Sequence, residues 1–278
     1  MNEPQRNEFH ESNRAAWNEG AEAYEAGLSE SIAFLKAGGQ NFCPPELEFL
    51  QDLDKWCERA IHLQCAGGAD TISLWNRGAK EVIGVDISDR MIEVAKAKSK
   101  AVGANANWIR SDILQTPVEL NGTADLVYTG RGAICWIMDL EAWAKVIARL
   151  LKPGGSFYLF EGHPFSEMWT LEDETYVLDP EYGDYFKTES IVSNDWPDTY
   201  IGDLGRPEVE LAKKYERIWG VGQIINALID AGLTIKRVGE HPNLFWDRFP
   251  NMSPELVKKL PQTLSILAVK DDCCIMEL

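Results

Sequence analysis

Four stretches of the chain combine residue types that could do chemistry. The first is "HLQCAGGADT", residues 62–71, where an apolar run enters Gly67 and Gly68 and a helix-like segment follows. Adjacent glycines let backbone approach a ligand closely, although glycine pairs are also common turns. The second is Asp86, which ends "VIGVD" 18 residues after Gly68. A carboxylate there can accept hydrogen bonds from both hydroxyls of a ribose. The third is Ser111-Asp112, ending "NWIRSD", where a carboxylate suits an exocyclic amine such as that of adenine. The fourth is "FEGHPF", with Glu161 and His163 as candidate general bases; the histidine titrates near neutral pH. A dinucleotide loop would want G-x-G-x-x-G, but Gln64, Ala66 and Ala69 stand at those positions. The set therefore fits an adenosine-bearing ligand without a pyrophosphate.

These residues need a scaffold, and residues 61–160 supply one. "AIHL", "EVIGVDIS", "ANWIRSD", "ADLVYTG" and "SFYLFEG" read as strands. Between them, "DTISLWNRGA", "DRMIEVAKAKSKAVG" and "LEAWAKVIARLL" read as helices, with Ser88 as an N-cap and Gly103 as a stop. Strands separated by helices imply parallel pairing through right-handed crossovers, with both sheet faces covered. Residues 163–218 break the pattern. Aromatics, acids, Pro and Gly predict an insertion with antiparallel strands near "FKTESIVS" and "VELAKKYERIWG". "GVGQIINALIDAGL" then reads as a helix, and "TIKRVGEH" and "LSILAVKD" as two further strands. The first 58 residues look helical, with candidates at 12–26 and 44–57.

Length and composition limit the alternatives. The chain has 278 residues, 45% of them hydrophobic, which supports a substantial core. Net charge is −17, and residues 165–210 hold thirteen acids against Lys187 and Arg206. That balance disfavours a nucleic-acid partner and leans toward a neutral or cationic small-molecule acceptor. No stretch has the length and apolarity of a membrane span, and the first residues, "MNEPQRNEFHESNR", show no secretory pattern; a cytoplasmic location is expected. The six cysteines form no CxxC pair, and together with four scattered histidines they suggest reduced thiols and no metal site. Cys273 and Cys274 sit at the extreme C-terminus.

With the motifs in view, residues 59–161 resemble class I S-adenosylmethionine-dependent methyltransferases of the small-molecule type. The matching stretches are "IHLQCAGGADTISLWNRGA", "VIGVDIS", "RSDI", "ADLVYTGRGAICWI" and "RLLKPGGSFYLFEG". The departures lie in the opening loop, where the family usually has acid-x-Gly-x-Gly-x-Gly. Here His62 replaces the acid, Gln64 the first glycine and Ala66 the second, while Gly68 is retained. A bacterial subgroup carries a similar variant loop.

The resemblance implies a Rossmann-like, doubly wound, mostly parallel seven-stranded sheet with helices on both faces, a helical lid and an inserted antiparallel segment. It implies four regions: 1–58 a helical cap, 59–162 the cofactor-binding core, 163–218 an acceptor-site insertion, and 219–278 the last helix and two strands. S-adenosylmethionine, with S-adenosylhomocysteine as product, would be held by Gln64, Cys65, Ala66, Gly67, Gly68, Asp86, Ile87, Ser111, Asp112, Ile113, Gly130 and Arg131, with Trp17 and Tyr24 on the lid. Two rival readings remain: a non-catalytic S-adenosylmethionine-binding protein and a nicotinamide-dependent oxidoreductase.

Overall fold

The computed structural model describes residues 1–172 and 175–271; Cys273 and Cys274 lie outside them. The chain opens with helix α1 (Glu3–Ala26), capped by the Asn2 side chain on the Gln5 N–H. Its buried stripe is His10, Asn13, Ala16, Gly20 and Ala21. These residues are small or polar, so the stripe carries little hydrophobic signal. That is why the sequence pattern places the start nine residues late, at residue 12. Helix α2 (Leu28–Lys36), not anticipated from sequence, follows directly, and α3 (Pro44–Phe49) and α4 (Leu53–Trp56) occupy the second predicted region.

The core then alternates as expected. Strand β1 (Arg59–Leu63) leads to α5 (Ala69–Asn76), β2 (Glu81–Asp86) to α6 (Asp89–Val102), and β3 (Ala106–Arg110) through short turns to β4 (Ala124–Gly130). Ser88 caps α6 through the Met91 N–H, and Gly103 ends that helix at φ +80°. Helix α7 (Leu140–Leu150) runs into β5 (Leu151–Gly162).

Four short strands follow in the inserted region: β6 (Trp169–Glu172) with β7 (Thr175–Leu178), and β8 (Ile191–Ser193) with β9 (Lys214–Glu216). Both pairs are antiparallel. The second pair falls inside the two stretches expected to contain strand; the first was not located from sequence. The chain ends with α8 (Val221–Asp230), β10 (Leu233–His241), α9 (Pro254–Val257) and β11 (Thr263–Lys270).

The main sheet has seven strands in the order β10-β11-β5-β4-β1-β2-β3. β3, β2, β1, β4 and β5 pair in parallel, while β11 is antiparallel to both β5 and β10. Strand order reverses between β1 and β4, so a crevice opens there at the carboxyl ends. One face packs under α7 and α8, with Trp143, Leu150 and Leu228 buried; the other packs under α3, α4 and α5 through Leu50, Leu53 and Leu74. No helix among the described residues is long and apolar enough to cross a membrane.

Candidate functional site

A cavity of about 230 Å³ lies at that crevice. Its floor is the β1–α5 loop. Gly68 there has φ +75°, and a Cβ on it would come within 2.5 Å of the Trp108 ring. Gly67 lies under the Tyr24 ring, where a Cβ would meet Cδ1 at 2.8 Å. Gln64 and Ala66 also adopt left-handed backbone, at φ +57° and +43°. Glycine is the residue that takes such angles without strain, so both side chains are held there by the surrounding structure.

Asp86 ties this loop to the next turn. One carboxylate oxygen accepts from the Ala66 N–H and the other from the Ser88 N–H, both at 2.8 Å. Burial pushes its carboxyl up to about 6, although these backbone donors pull the other way. Asp112 caps a short turn through the Leu114 N–H at 2.9 Å and pairs with His10 Nδ1 at 2.7 Å. Burial acts to raise Asp112, but the hydrogen bond from His10 holds it below the ordinary carboxylate range. His10 Nε2 in turn accepts from the Met138 N–H.

Helix α1 lines one side of the cavity through His10, Asn13, Trp17 and Tyr24. Asn13 exchanges two hydrogen bonds with the Tyr215 backbone of β9, which locks the helix to the inserted region. The Tyr24 and Tyr200 hydroxyls lie 2.8 Å apart. Trp17 meets Trp136 edge-on at 5.4 Å, and Tyr200 stacks on Trp246 at 5.1 Å. The cavity is thus walled by aromatics from four regions of the chain.

A charged network closes the far side. Glu46, fully buried, accepts from the Tyr128 hydroxyl at 2.5 Å, from Arg131 Nη2 at 2.7 Å and from the Cys43 N–H at 2.8 Å. Burial raises Glu46 despite these donors. Asp70 takes a hydrogen bond from Asn41 at 2.7 Å and stands 3.7 Å from Arg131 Nε. His62 Nδ1 lies 2.8 Å from the Thr71 hydroxyl, and burial drops its pKa to about 4, so the ring is neutral near pH 7.

Most of the residues expected from sequence meet at this cavity. Gln64 through Gly68, Asp86, Ile87, Asp112, Ile113, Gly130, Arg131, Trp17 and Tyr24 all line it. Three do not. Ser111 turns its hydroxyl onto the Asp112 carbonyl at 2.8 Å. Glu161, expected as a base, is fully buried beside the cavity. It accepts from the N–H groups of Gly132, Ala133 and Ile134 at 2.6–2.8 Å, and burial pushes it up to about 7. His163 bonds Glu240 at 2.9 Å and accepts from the Phe165 N–H at 3.1 Å. Both of its nitrogens are thereby engaged away from the cavity. His241, at the end of β10, bonds Ser265 and is not among the lining residues.

The wall also holds residues that sequence patterns did not single out: His10, Asn13, Asn41, Asp70, Tyr200 and Trp246. Asp70 reads in sequence as an ordinary first-turn acid. The others lie far from the motifs along the chain.

Residues 60–155 match the model of a family described as a methyltransferase domain. Over that span the chain is similar to a methyltransferase domain. The demethylmenaquinone methyltransferase of Staphylococcus saprophyticus is 37% identical over 126 residues, covering 44% of this chain and 49% of that relative. The chain thus spans about half the length of this curated relative. Two solved structures share the fold. An S-adenosylmethionine-dependent methyltransferase from Listeria monocytogenes aligns with a TM-score of 0.59 at 22% identity, covering 82% of this chain and 97% of the other. One from Mesorhizobium loti gives 0.56 at 23%, covering 81% and 96%.

Proposed function

We propose that the protein is a methyltransferase that uses S-adenosylmethionine to methylate a small-molecule acceptor. The observation that carries this reading is the meeting of Asp86, Asp112 and the β1–α5 loop at one cavity, at the reversal point of the sheet. The residues present suit an adenosine carrying a sulfonium side chain. Asp86 would take the ribose hydroxyls, exchanging its backbone donors for ligand donors or sharing them. Asp112 and Ile113 would face the adenine; each Asp112 oxygen already has one partner and retains acceptor capacity. Gly67 and Gly68 would let the loop backbone approach, while Gln64 and Ala66 take the same left-handed turn without glycine.

S-adenosylmethionine would supply an already activated methyl group, so this chain's main contribution is proximity and alignment. Residues 1–58 act as the cap in this reading, 59–162 hold the cofactor, and 163–218 complete the acceptor chamber. Residues 219–278 finish the sheet and add Phe245 and Trp246 to the wall. The aromatic sides exclude water and present π-faces to the acceptor. Because Glu161 and His163 do not reach the cavity, the reading favours an acceptor that is nucleophilic without a dedicated base, such as an amine or thiol. Glu161 becomes a positioning residue that fixes the Gly132–Ile134 turn.

Calorimetric titration with S-adenosylmethionine, S-adenosylhomocysteine and NADH tests this. Binding of the first two and not the third is expected. NADH binding alone would overturn the reading in favour of an oxidoreductase. Tight cofactor binding with no turnover on a broad panel of amines, thiols and phenols would favour the non-catalytic alternative.

A further inference from the structure

Four aromatic rings of the cavity wall come from separate parts of the chain: Trp17, Trp136, Tyr200 and Trp246. Trp17 stands nearly perpendicular to two of the others. Its ring centre is 5.4 Å from that of Trp136 at 75°, and 6.4 Å from that of Tyr200 at 82°. Tyr200 and Trp246 lie parallel to within 19°, and at 5.1 Å they close on each other. A flat aromatic acceptor would favour a slot between two parallel faces, and this pair leaves none. Rings set near right angles instead offer several π-faces to one compact group.

The neighbouring rings show what such a face takes. Trp196 packs against both Trp17 and Trp136, with ring centres 4.9 and 6.1 Å apart, and Lys214 Nζ sits 4.2 Å from its centre. Glu216 and Asp195 lie near that lysine and offset its charge. Lys98 Nζ lies 5.7 Å from the centre of the Tyr24 ring. Two rings of this aromatic group therefore already carry an ammonium supplied by the chain itself. Among the described residues, no protein cation lies over Trp17, Trp136, Tyr200 or Trp246. The charge around them is negative. Asp70, Asp86 and Asp112 line the cavity, and its guanidinium, Arg131, is bound to the buried Glu46 at 2.7 Å. An aromatic face attracts a cation electrostatically, and more strongly where water is excluded.

Proton handling decides the kind of cation. His10 is engaged at both nitrogens, by Asp112 and by the Met138 N–H, and the Tyr24 and Tyr200 hydroxyls bond each other. A tertiary amine makes no demand on these groups, because it has no proton to lose after attack. Its lone pair forms the new N–C bond as the C–S bond breaks. The bonding pair stays on sulfur as a thioether, and the positive charge passes from sulfur to nitrogen.

We infer that Trp17, Trp136, Tyr200 and Trp246 form a cation-binding box, and that the acceptor is a tertiary alkylamine released as a quaternary ammonium. This rests on the methyltransferase reading above and adds the class of acceptor.

The test is calorimetric, on protein saturated with S-adenosylhomocysteine. The probes are choline and the uncharged alcohol in which carbon replaces its nitrogen, which has the same shape. The wild-type protein should bind choline about tenfold or more tightly than the alcohol, the range for desolvated cation–π contacts. Trp246→Leu and Tyr200→Leu should each cut that preference to about twofold or less, while Trp246→Phe and Tyr200→Phe keep most of it. Equal affinity for the two probes, or binding of neither, would overturn the inference and leave the cofactor reading intact. A preference that survives in both leucine variants would also overturn it, since apolar contact would then suffice without a π-face. If one leucine variant does not fold, the other decides. A wild-type protein that does not bind S-adenosylhomocysteine removes the cofactor reading, and the box with it.

Discussion

Glu161 invites a decisive perturbation, because its sequence position suits a base and its surroundings suit a clamp. Its carboxylate accepts from three successive backbone N–H groups, those of Gly132, Ala133 and Ile134. Glu161→Ala leaves all three without an acceptor. Each buried unsatisfied donor costs about 1–3 kcal/mol. Water entering from the adjoining cavity relieves part of this, which brings the expected loss to about 3–5 kcal/mol. For a chain of this length that corresponds to a melting temperature roughly 5–9 °C lower. The turn carries Arg131, Gly132 and Ala133 of the cavity wall, so cofactor affinity should fall together with stability. Thermal unfolding followed by circular dichroism, with titration of S-adenosylhomocysteine at a temperature where the variant is folded, measures both. A variant that melts within about 1 °C of the wild type, binds the cofactor normally and loses turnover would refute the clamp and restore Glu161 as a base.

Three further outcomes are expected. Ala66→Gly should stabilise the fold by about 0.5–1 kcal/mol, since relief of the φ +43° strain exceeds the added chain entropy; a lower urea midpoint would contradict the strain. Asp86 is held up to about 6 by burial, so its carboxylate is protonated progressively below that pH. Affinity for S-adenosylhomocysteine should then fall by about tenfold per unit below pH 6, and a flat profile from pH 5 to 8 would remove Asp86 from the ribose. His62 binds its proton more weakly in the folded chain, near 4, than in the unfolded chain, near 6.5. Its contribution, up to about 3 kcal/mol, is present above pH 6.5 and lost as pH falls toward 4. His62→Asn should flatten that part of the stability profile in urea melts, and an unchanged slope would show that another group causes it.

The alternation of strands and helices from β1 to β5 was readable because each element carries its own period and its own stop, as with Ser88 and Gly103 around α6. Asp86 and Asp112 were readable for a related reason. An acid that closes an apolar run must emerge at the strand's end, and in a parallel sheet those ends share one side. The loop positions of Gln64 and Ala66 were readable as departures, and the backbone keeps the left-handed angles at both.

Tertiary structure alone decided the rest. Glu161 and Phe160 are neighbours in sequence, but strand side chains alternate between faces, so one residue of register turned Glu161 under the Gly132–Ile134 turn. His163 was captured by Glu240 on β10, 77 residues away. The early start of the first helix was hidden because its buried stripe begins with His10 and Asn13, residues without hydrophobic signal. Asp70, Tyr200 and Trp246 became one wall only when the helix start, the insertion and the β10–α9 connection were brought together. Local pattern fixes where a chain turns and which residues end its strands. Which side chains then share a cavity depends on long-range packing, and no local period encodes it.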